Sequence, residues 1–396
     1  MPSPVPEGLF KYVDLANLRG ILRKYFKSLG VEEVDVTNSV GRFLAEDLTA
    51  PRDLPEYDIS HVDGFALSSC SGLSYRLVEG STLGRCEATY VRTGEPVPEG
   101  TVAVLPVEAA RVVGGEVIAP RFLEEGSEII RRGLDVARSD IVARRGSLVT
   151  PAKARLLAEL GLSTLKVFVR PRVLVVPVGT ELAEGSRRET SSLVVRSMCE
   201  PLAGGITVSK PVEDSTEVIR EVVGVGVEEY DAVVTIGGAS LGDKDLTFRT
   251  VSSLDGVEVL VRGVAVQPGR VTSLVSLRGK PVVLLPGLIQ STVSGAVFVL
   301  QPLLKVMQGG DPVAHYLTGL LRLGHDYTYR GRFTAFTRLR FVKLINEEEG
   351  TAEIFEAPSP VQRPIAESHG FTILEPGVVK LAKYTLIRVY RAPGLY

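Results

Sequence analysis

The stretch Tyr230-Asp-Ala-Val-Val-Thr-Ile-Gly-Gly-Ala-Ser-Leu-Gly-Asp-Lys-Asp-Leu-Thr247 constrains the fold more than any other part of the chain. Ala232 to Ile236 is a short apolar, β-branched run, the composition of a strand buried on both faces. It stops at Gly237 and Gly238. Together with Gly242, these glycines allow positive φ and let backbone N–H groups come close to an anionic oxygen. Asp243 and Asp245 follow at once. Two carboxylates beside an anion cradle call for a cation between them and the ligand, and Mg²⁺ commonly bridges carboxylate and phosphate in this way. The stretch therefore reads as a metal–phosphate site, against the plainer alternative of a tight turn followed by a helix-capping Asp.

Two other strand ends favour the site. Residues 173–178 form an apolar run into Gly179-Thr180-Glu181, and residues 281–285 form another into Pro286-Gly287. Three buried strands ending in glycine turns predict an open parallel sheet that binds ligand at its carboxyl edge. Amphipathic helices are expected at 192–202 and 215–225, and an apolar one at 292–307, which completes βαβ units.

The rest of the chain divides around this section. A length of 396 residues predicts two to four domains, at about 150 residues each. Leu15, Leu18, Ile21, Leu22 and Phe26 recur at helical spacing up to Gly30. An extended segment at 31–36 and a short helix at 40–48 follow. From 75 to 130 the pattern is short strands broken by Gly84, Gly94, Gly100 and Gly126, a small β-barrel or sandwich. A helix returns at 151–161, with Pro151 in its first turn. Beyond Gly309-Gly-Asp-Pro312 the chain is strand-like again, with no evident catalytic cluster. The domains expected are a helical and extended linking domain at 1–48 and 141–168, an inserted β-domain at 49–140, an α/β domain at 169–310 and a C-terminal β-domain at 311–396.

Charge and cysteine content narrow the functional classes. A net charge of -2 gives no field for nucleic acid or an anionic membrane. The opening Met-Pro-Ser-Pro-Val-Pro-Glu has no basic and apolar leader pattern, and no run reads as long enough to span a membrane. A cytoplasmic location is expected. Cys70, Cys86 and Cys199 are odd in number and widely spaced, which reads as reduced thiols. Asn17, Asn38 and Asn346 are the only asparagines and methionine is scarce, as in thermophile proteins.

Taken together, Leu54-Pro-Glu-Tyr-Asp-Ile-Ser-His-Val-Asp-Gly-Phe-Ala66, Thr93-Gly-Glu-Pro-Val-Pro98, Ile130-Arg-Arg-Gly-Leu-Asp135, Gly179-Thr-Glu-Leu182, the Gly237–Asp245 segment and Leu285-Pro-Gly287 come in one order. The chain resembles the MoeA family, also called the gephyrin E-domain family, over nearly its whole length. The resemblance implies a multidomain α/β plus β protein. Its parts are a central doubly wound, MogA-like molybdopterin-binding domain, an inserted small β-domain, a helical linking segment and a C-terminal β-barrel-like domain. It also implies a homodimer whose active cleft is shared between subunits. The implied activity is molybdopterin molybdenumtransferase: molybdate or tungstate is inserted into adenylylated molybdopterin, AMP is released and Mg²⁺ assists. A molybdopterin adenylyltransferase-type enzyme is an implied partner.

Carried over residue by residue, the resemblance assigns catalytic roles to Asp63, Thr93, Asp135, Glu181, Asp214, Asp245 and Arg270. It places the ligand on Gly237, Gly238, Ser240, Gly242, Pro286, Gly287 and Ser291, and the metal on Asp243 and Asp245. Several positions depart from the family pattern. Lys-Pro-Gly-Lys-Pro is Gln267-Pro-Gly-Arg-Val271 here, and Leu-Pro-Gly-Asn-Pro-Val-Ser is Leu285-Pro-Gly-Leu-Ile-Gln-Ser291. One cation is lost, the other becomes a planar guanidinium, and Leu288 and Ile289 replace an amide and a proline. Two readings result, an active transferase or a non-catalytic molybdopterin-binding carrier. A free-standing adenylyltransferase is disfavoured by the extra domains.

Overall fold

The computed structural model describes residues 12–238, 245–313 and 316–396. The chain forms two compact units. One comprises Met1–Glu33, Gly41–Ala45 and Lys166–Tyr396; the other, the inserted unit, comprises Val34–Val40 and Glu46–Leu165.

In the first unit, a six-stranded sheet is built from β1 (Arg172–Pro177), β2 (Gly205–Val208), β3 (Ala232–Ile236), β4 (Val257–Arg262), β5 (Ser273–Leu277) and β6 (Lys280–Leu285), in the order β2-β1-β3-β6-β5-β4. β2, β1, β3 and β6 are parallel, with Val173 opposite Ala232 and Val233 opposite Val282. Every residue of β3 is buried, as the apolar run required. Leu174, Val176, Val233, Val282 and Leu284 pack with Ile219, Val223 and Val227 of α2 (Thr216–Glu229) and with Phe248 and Val251 of α3 (Leu246–Ser252). Ser191–Cys199 forms α1, which contacts β1, β2 and the long helix α4 (Ile289–Val306).

The sheet is mixed rather than wholly parallel. Arg278 and Gly279 both take positive φ, and Leu277 pairs directly with Lys280. A two-residue hairpin of this kind suits antiparallel strands, and so β5 returns against β6 and β4 against β5. α4 runs over Ile289–Val306 and is long and apolar enough to cross a membrane, contrary to the expectation that no such run exists. It is 94% buried inside the protein, as a core helix is.

The C-terminal part closes on itself. Thr337–Asn346 pairs with Thr351–Ile354 on one side and Gly370–Leu374 on the other. Tyr316–Leu323 and Leu386–Arg391 complete the ring. Leu323, Val342, Ala352, Leu374, Ile387 and Val389 fill its interior. Val266-Gln267 adds a short parallel strand beside Thr337-Arg338, tying this barrel to the α/β part of the same unit.

The inserted unit holds a six-stranded sheet. Gly64–Leu67 pairs with Glu87–Val91 and Ala103–Pro106 around a core of Phe65, Leu67, Tyr75, Leu105 and Val117. Pro151–Glu159 forms the expected helix, with Thr150 accepting the N–H of Lys153 at its start. The helix expected at 40–48 does not form. Phe43, Leu44 and Ala45 are consecutively buried, and Leu44 bridges Val167, a pattern without a helical stripe.

The cysteine reading is also corrected. Cys70 and Cys86 form a disulfide, because the strands around them bring their Cα atoms to 4.6 Å. Only Cys199 is a free thiol; it is buried, and burial raises its pKa to about 12. A 16-residue separation predicts that Cys70→Ser with Cys86→Ser lowers the stability of the inserted unit by about 3 kcal/mol. Calorimetry of the full chain checks this, and an unchanged transition for that unit contradicts it.

Candidate active site

The three glycine turns meet. Gly179, Gly237, Gly238 and Gly287 line one cleft of about 550 Å³, together with Glu181, Asp214 and residues of the 187–191 segment. The reason lies in the sheet: β1, β3 and β6 are adjacent and parallel, so their carboxyl ends open on the same edge. Gly237 has φ +99°, and a Cβ there would stand 2.3 Å from the Val178 carbonyl oxygen. Gly238 has φ +61°, and a Cβ there would stand 1.9 Å from Thr247 Oγ1. That hydroxyl donates to the Gly237 carbonyl at 3.4 Å. Only glycine fits at either position.

Asp214 and Thr180 clasp the first turn. Thr180 N–H donates to Asp214 Oδ2 at 3.0 Å, and Asp214 N–H donates to Thr180 Oγ1 at 3.1 Å. Glu181 faces Arg187 at 3.7 Å. Arg187 and Arg188 line the cleft and were not anticipated; they sit in a polar loop with no strand or helix pattern to mark them. α4 starts at the cleft with Leu288 at its N-cap, a residue with no side-chain oxygen to accept the first helical N–H groups; the Ser291 N–H donates to the Leu288 carbonyl and the Gln290 N–H to the Ser359 carbonyl. A helix N-terminus without a side-chain cap leaves its dipole open to an anion.

The other expected residues distribute as follows. Asp245 is buried and caps α3, accepting Phe248 N–H at 3.0 Å. Ser291 is buried in the first turn of α4, and Pro286 accepts from the Thr292 hydroxyl. Ser240, Gly242 and Asp243 lie outside the described residues. Arg270 lies over the Phe333 ring at 4.1 Å rather than lining this cleft.

In the inserted unit, Asp63 and Thr93 come together from thirty residues apart. Asp63 Oδ1 accepts Thr93 N–H at 2.7 Å and the Thr93 hydroxyl at 2.9 Å. These two bonds hold the Asp63 carboxyl below its ordinary 3.8. Asp135 lines a separate cleft of the same unit with Tyr57, Gly94 and Arg155. The loops carrying it are stitched by Asp53, which accepts from Arg138 N–H and Arg132 Nε, and by Asp58, which accepts from Arg132 N–H and Arg131 Nη1.

A second cavity in the first unit, about 700 Å³, is lined by Gln267, Phe333 and Ser359 with Arg330, Arg332 and Arg340. Arg340 pairs with Glu356 at 3.1 Å and donates to the Gln267 carbonyl at 3.1 Å. Arg338 is fully buried and stacks on Tyr329 at 4.2 Å. The sequence of the C-terminal barrel, read as having no evident catalytic cluster, did not point to this cavity. The available signal was Arg338 and Arg340 alternating with Leu339 and Phe341 in a strand, where buried cations are rare.

Residues 13–161 match the MoeA N-terminal region (domain I and II), and residues 174–306 match the family described as "Probable molybdopterin binding domain". An α/β domain of this kind joined to that N-terminal region defines a protein of molybdenum-cofactor biosynthesis. The chain belongs to the MoeA family. It is 29% identical to molybdopterin molybdenumtransferase 2 of Mycobacterium tuberculosis over 90% of this chain and 94% of that one. It is 27% identical to molybdopterin molybdenumtransferase of Staphylococcus aureus over 86% and 84%. The molybdopterin biosynthesis moeA protein of Pyrococcus horikoshii OT3 shares the fold, with a TM-score of 0.78 at 20% identity over 96% of this chain and all of that one.

Gly238→Ala should cost at least about 1 kcal/mol from the left-handed backbone alone, and the Thr247 clash should add to it. Chemical denaturation with no loss relative to wild type contradicts the packing described. For Asp63, a lowered pKa means that its bonds to Thr93 contribute fully above the ordinary carboxylate range and are lost as pH falls through the lowered value. Thr93→Val should therefore raise the Asp63 pKa in a carboxyl NMR titration and destabilise the unit at neutral pH, with the difference vanishing in acid. An unmoved Asp63 titration contradicts this.

Proposed function

We propose that the chain is a molybdopterin molybdenumtransferase that inserts molybdate, or tungstate, into adenylylated molybdopterin with release of AMP. The observation that carries this reading is the convergence of the three strand-end turns, Asp214 and the start of α4 on one cleft. The phosphates of the substrate would lie against Gly237-Gly238 and the α4 N-terminus, with Arg187 and Arg188 offsetting their charge. Asp214 holds the Thr180 turn in place, so the cleft is formed before substrate arrives. The arginine-lined cavity beside Gln267 fits an oxyanion, since guanidinium forks match its oxygens.

Mg²⁺ needs only one or two carboxylates when substrate phosphates complete its shell, and the acidic donors at this edge fit that requirement. Among the described residues no three potential metal ligands cluster. Asp245, with Asp243, would hold the ion; Glu181 and Asp214 are the carboxylates that line the cleft itself. When bound it would offset charge on the phosphates.

We also propose a cytoplasmic homodimer in which Asp63, Thr93 and Asp135 of one copy serve the cleft of the other, supplied with substrate by an adenylyltransferase-type enzyme. A thermophile source would reconcile the Cys70–Cys86 disulfide with the cytoplasm, because intracellular disulfides are frequent in hyperthermophiles. The carrier reading draws on Arg270, whose guanidinium rests on Phe333, and on the loss of lysine at Gln267.

AMP release from adenylylated molybdopterin with Mg²⁺ and either oxyanion distinguishes the two. Oxyanion-dependent release that falls at least about tenfold in Asp214→Ala, a loss of about 1.4 kcal/mol, is the result expected of a transferase. Pterin binding without release under both oxyanions is the result expected of a carrier.

A further inference from the structure

The arginine-lined cavity and the cleft share no lining residue, and one turn of the C-terminal barrel, residues 358–361, stands between them. Pro358 and Ser359 line the cavity, whereas Pro360 lines a smaller space that shares Gly287, Leu288 and Gln362 with the cleft. Val361 N–H closes the turn by donating to the Pro358 carbonyl at 3.0 Å. Pro358 and Pro360 have no N–H, so half of the turn cannot be tied down through its own donors. Its carbonyls are held instead, and Gln290 in the first turn of α4 holds three of them. The Gln290 side-chain amide donates to the Pro358 and Val361 carbonyls at 2.9 and 2.7 Å, and its backbone N–H donates to the Ser359 carbonyl at 3.2 Å. Gln290 is buried and itself lines the cavity. The valine of the family pattern could fill space here but could supply neither side-chain donor. The segment leading into the turn is fixed separately, by Glu356 accepting from the Tyr327 hydroxyl at 2.7 Å and from Arg340 Nε at 3.1 Å.

We propose that Gln290 is a positioning residue for the oxyanion: by holding residues 358–361 as a fixed wall of the arginine-lined cavity, it sets the affinity of that cavity for a tetrahedral oxyanion. The proposal rests on the reading of the cavity as the place of the oxyanion. Glu356 already offsets the charge of Arg340, and Asp326, the other carboxylate lining the cavity, accepts from Lys383 N–H. The cations left to grip an anion are Arg330 and Arg332, which are exposed and make no hydrogen bond or ion pair among the described residues. Long, free side chains lose rotamer freedom when they close on a ligand, so they bind well only against a surface that is ordered beforehand. The carbonyl groups give a second reason. Three oxygens of the turn are engaged by Gln290, and once released their partial negative charge is free to face the anion. The strand-end glycine turns lie on the other side of the partition, so the effect is confined to the oxyanion.

The test is calorimetric titration of the full chain with molybdate and with tungstate, in the absence of pterin. Gln290→Met keeps the length of the side chain and removes both amide donors. It should weaken either oxyanion at least about tenfold, about 1.4 kcal/mol, and leave molybdopterin binding unchanged. Faster hydrogen exchange at the Val361 amide shows that the turn has been freed in a folded chain. Pro358→Gly with Pro360→Gly loosens the same turn without touching Gln290 and should weaken the oxyanion in the same way. Combined with Gln290→Met it should cost nothing further, because both act through one element. In AMP release, Gln290→Met should raise the KM for the oxyanion while kcat at saturating oxyanion and the KM for the pterin substrate stay as in the wild type. Unchanged oxyanion affinity in Gln290→Met would overturn the proposal, and so would an equal loss of oxyanion and pterin binding, the mark of a general structural role. A wild-type chain that releases AMP with either oxyanion yet binds neither alone would remove this proposal and leave the transferase reading standing. Failure of both oxyanion binding and AMP release would remove both.

Discussion

The Val178 carbonyl oxygen and the Thr247 hydroxyl lie where side chains on Gly237 and Gly238 would have to stand. This close approach of backbone and side chain at the end of one central strand sets the geometry of the cleft. The third turn joins the same contact, since a Cβ on Gly287 would meet the Gly237 Cα at 3.4 Å. Peptide groups from neighbouring turns are thus brought side by side with no side chains between them, as a phosphate-binding backbone requires. Such an arrangement needs a rigid base, and the fully buried β3 between β1 and β6 provides it.

Much of this was legible because it depends on local patterns. The apolar run at Ala232–Ile236 could only be a doubly covered strand, and glycines at three strand ends pointed to one sheet edge. Asp63 and Thr93 were legible as separate members of ordered motifs, although nothing local says that a threonine thirty residues on would donate twice to that carboxylate. What was hidden depends on partners distant in sequence or on an unusual turn. Arg278-Gly279 is not the Asn-Gly or Asp-Gly pair that marks a two-residue hairpin, so the antiparallel half of the sheet went unread. Closure of the barrel by Thr337–Asn346 against Gly370–Leu374, and the pairing of Cys70 with Cys86, follow from tertiary register alone.

The departures from the family pattern gain physical sense in the fold. Arg270 does not replace a free lysine; it stacks on Phe333, which stacks in turn on Phe336, itself edge-on to Tyr12 at 4.9 Å. Its cation is spent on packing, while Arg330, Arg332 and Arg340 supply positive charge to the cavity alongside. The Gln290 side chain adds two bonds to backbone carbonyls, those of Pro358 and Val361, that anchor a loop of the C-terminal barrel to the α/β domain. These changes move charge and anchoring between elements while the turns at the sheet edge keep their glycines.

The central claim is that the strand-end turns hold the substrate's phosphates. A crystal structure with adenylylated molybdopterin bound tests it most directly. Phosphate density against Gly237-Gly238 and the start of α4 is the predicted result. Phosphates seated instead beside Arg330, Arg332 and Arg340, with no density at the glycine turns, would contradict it.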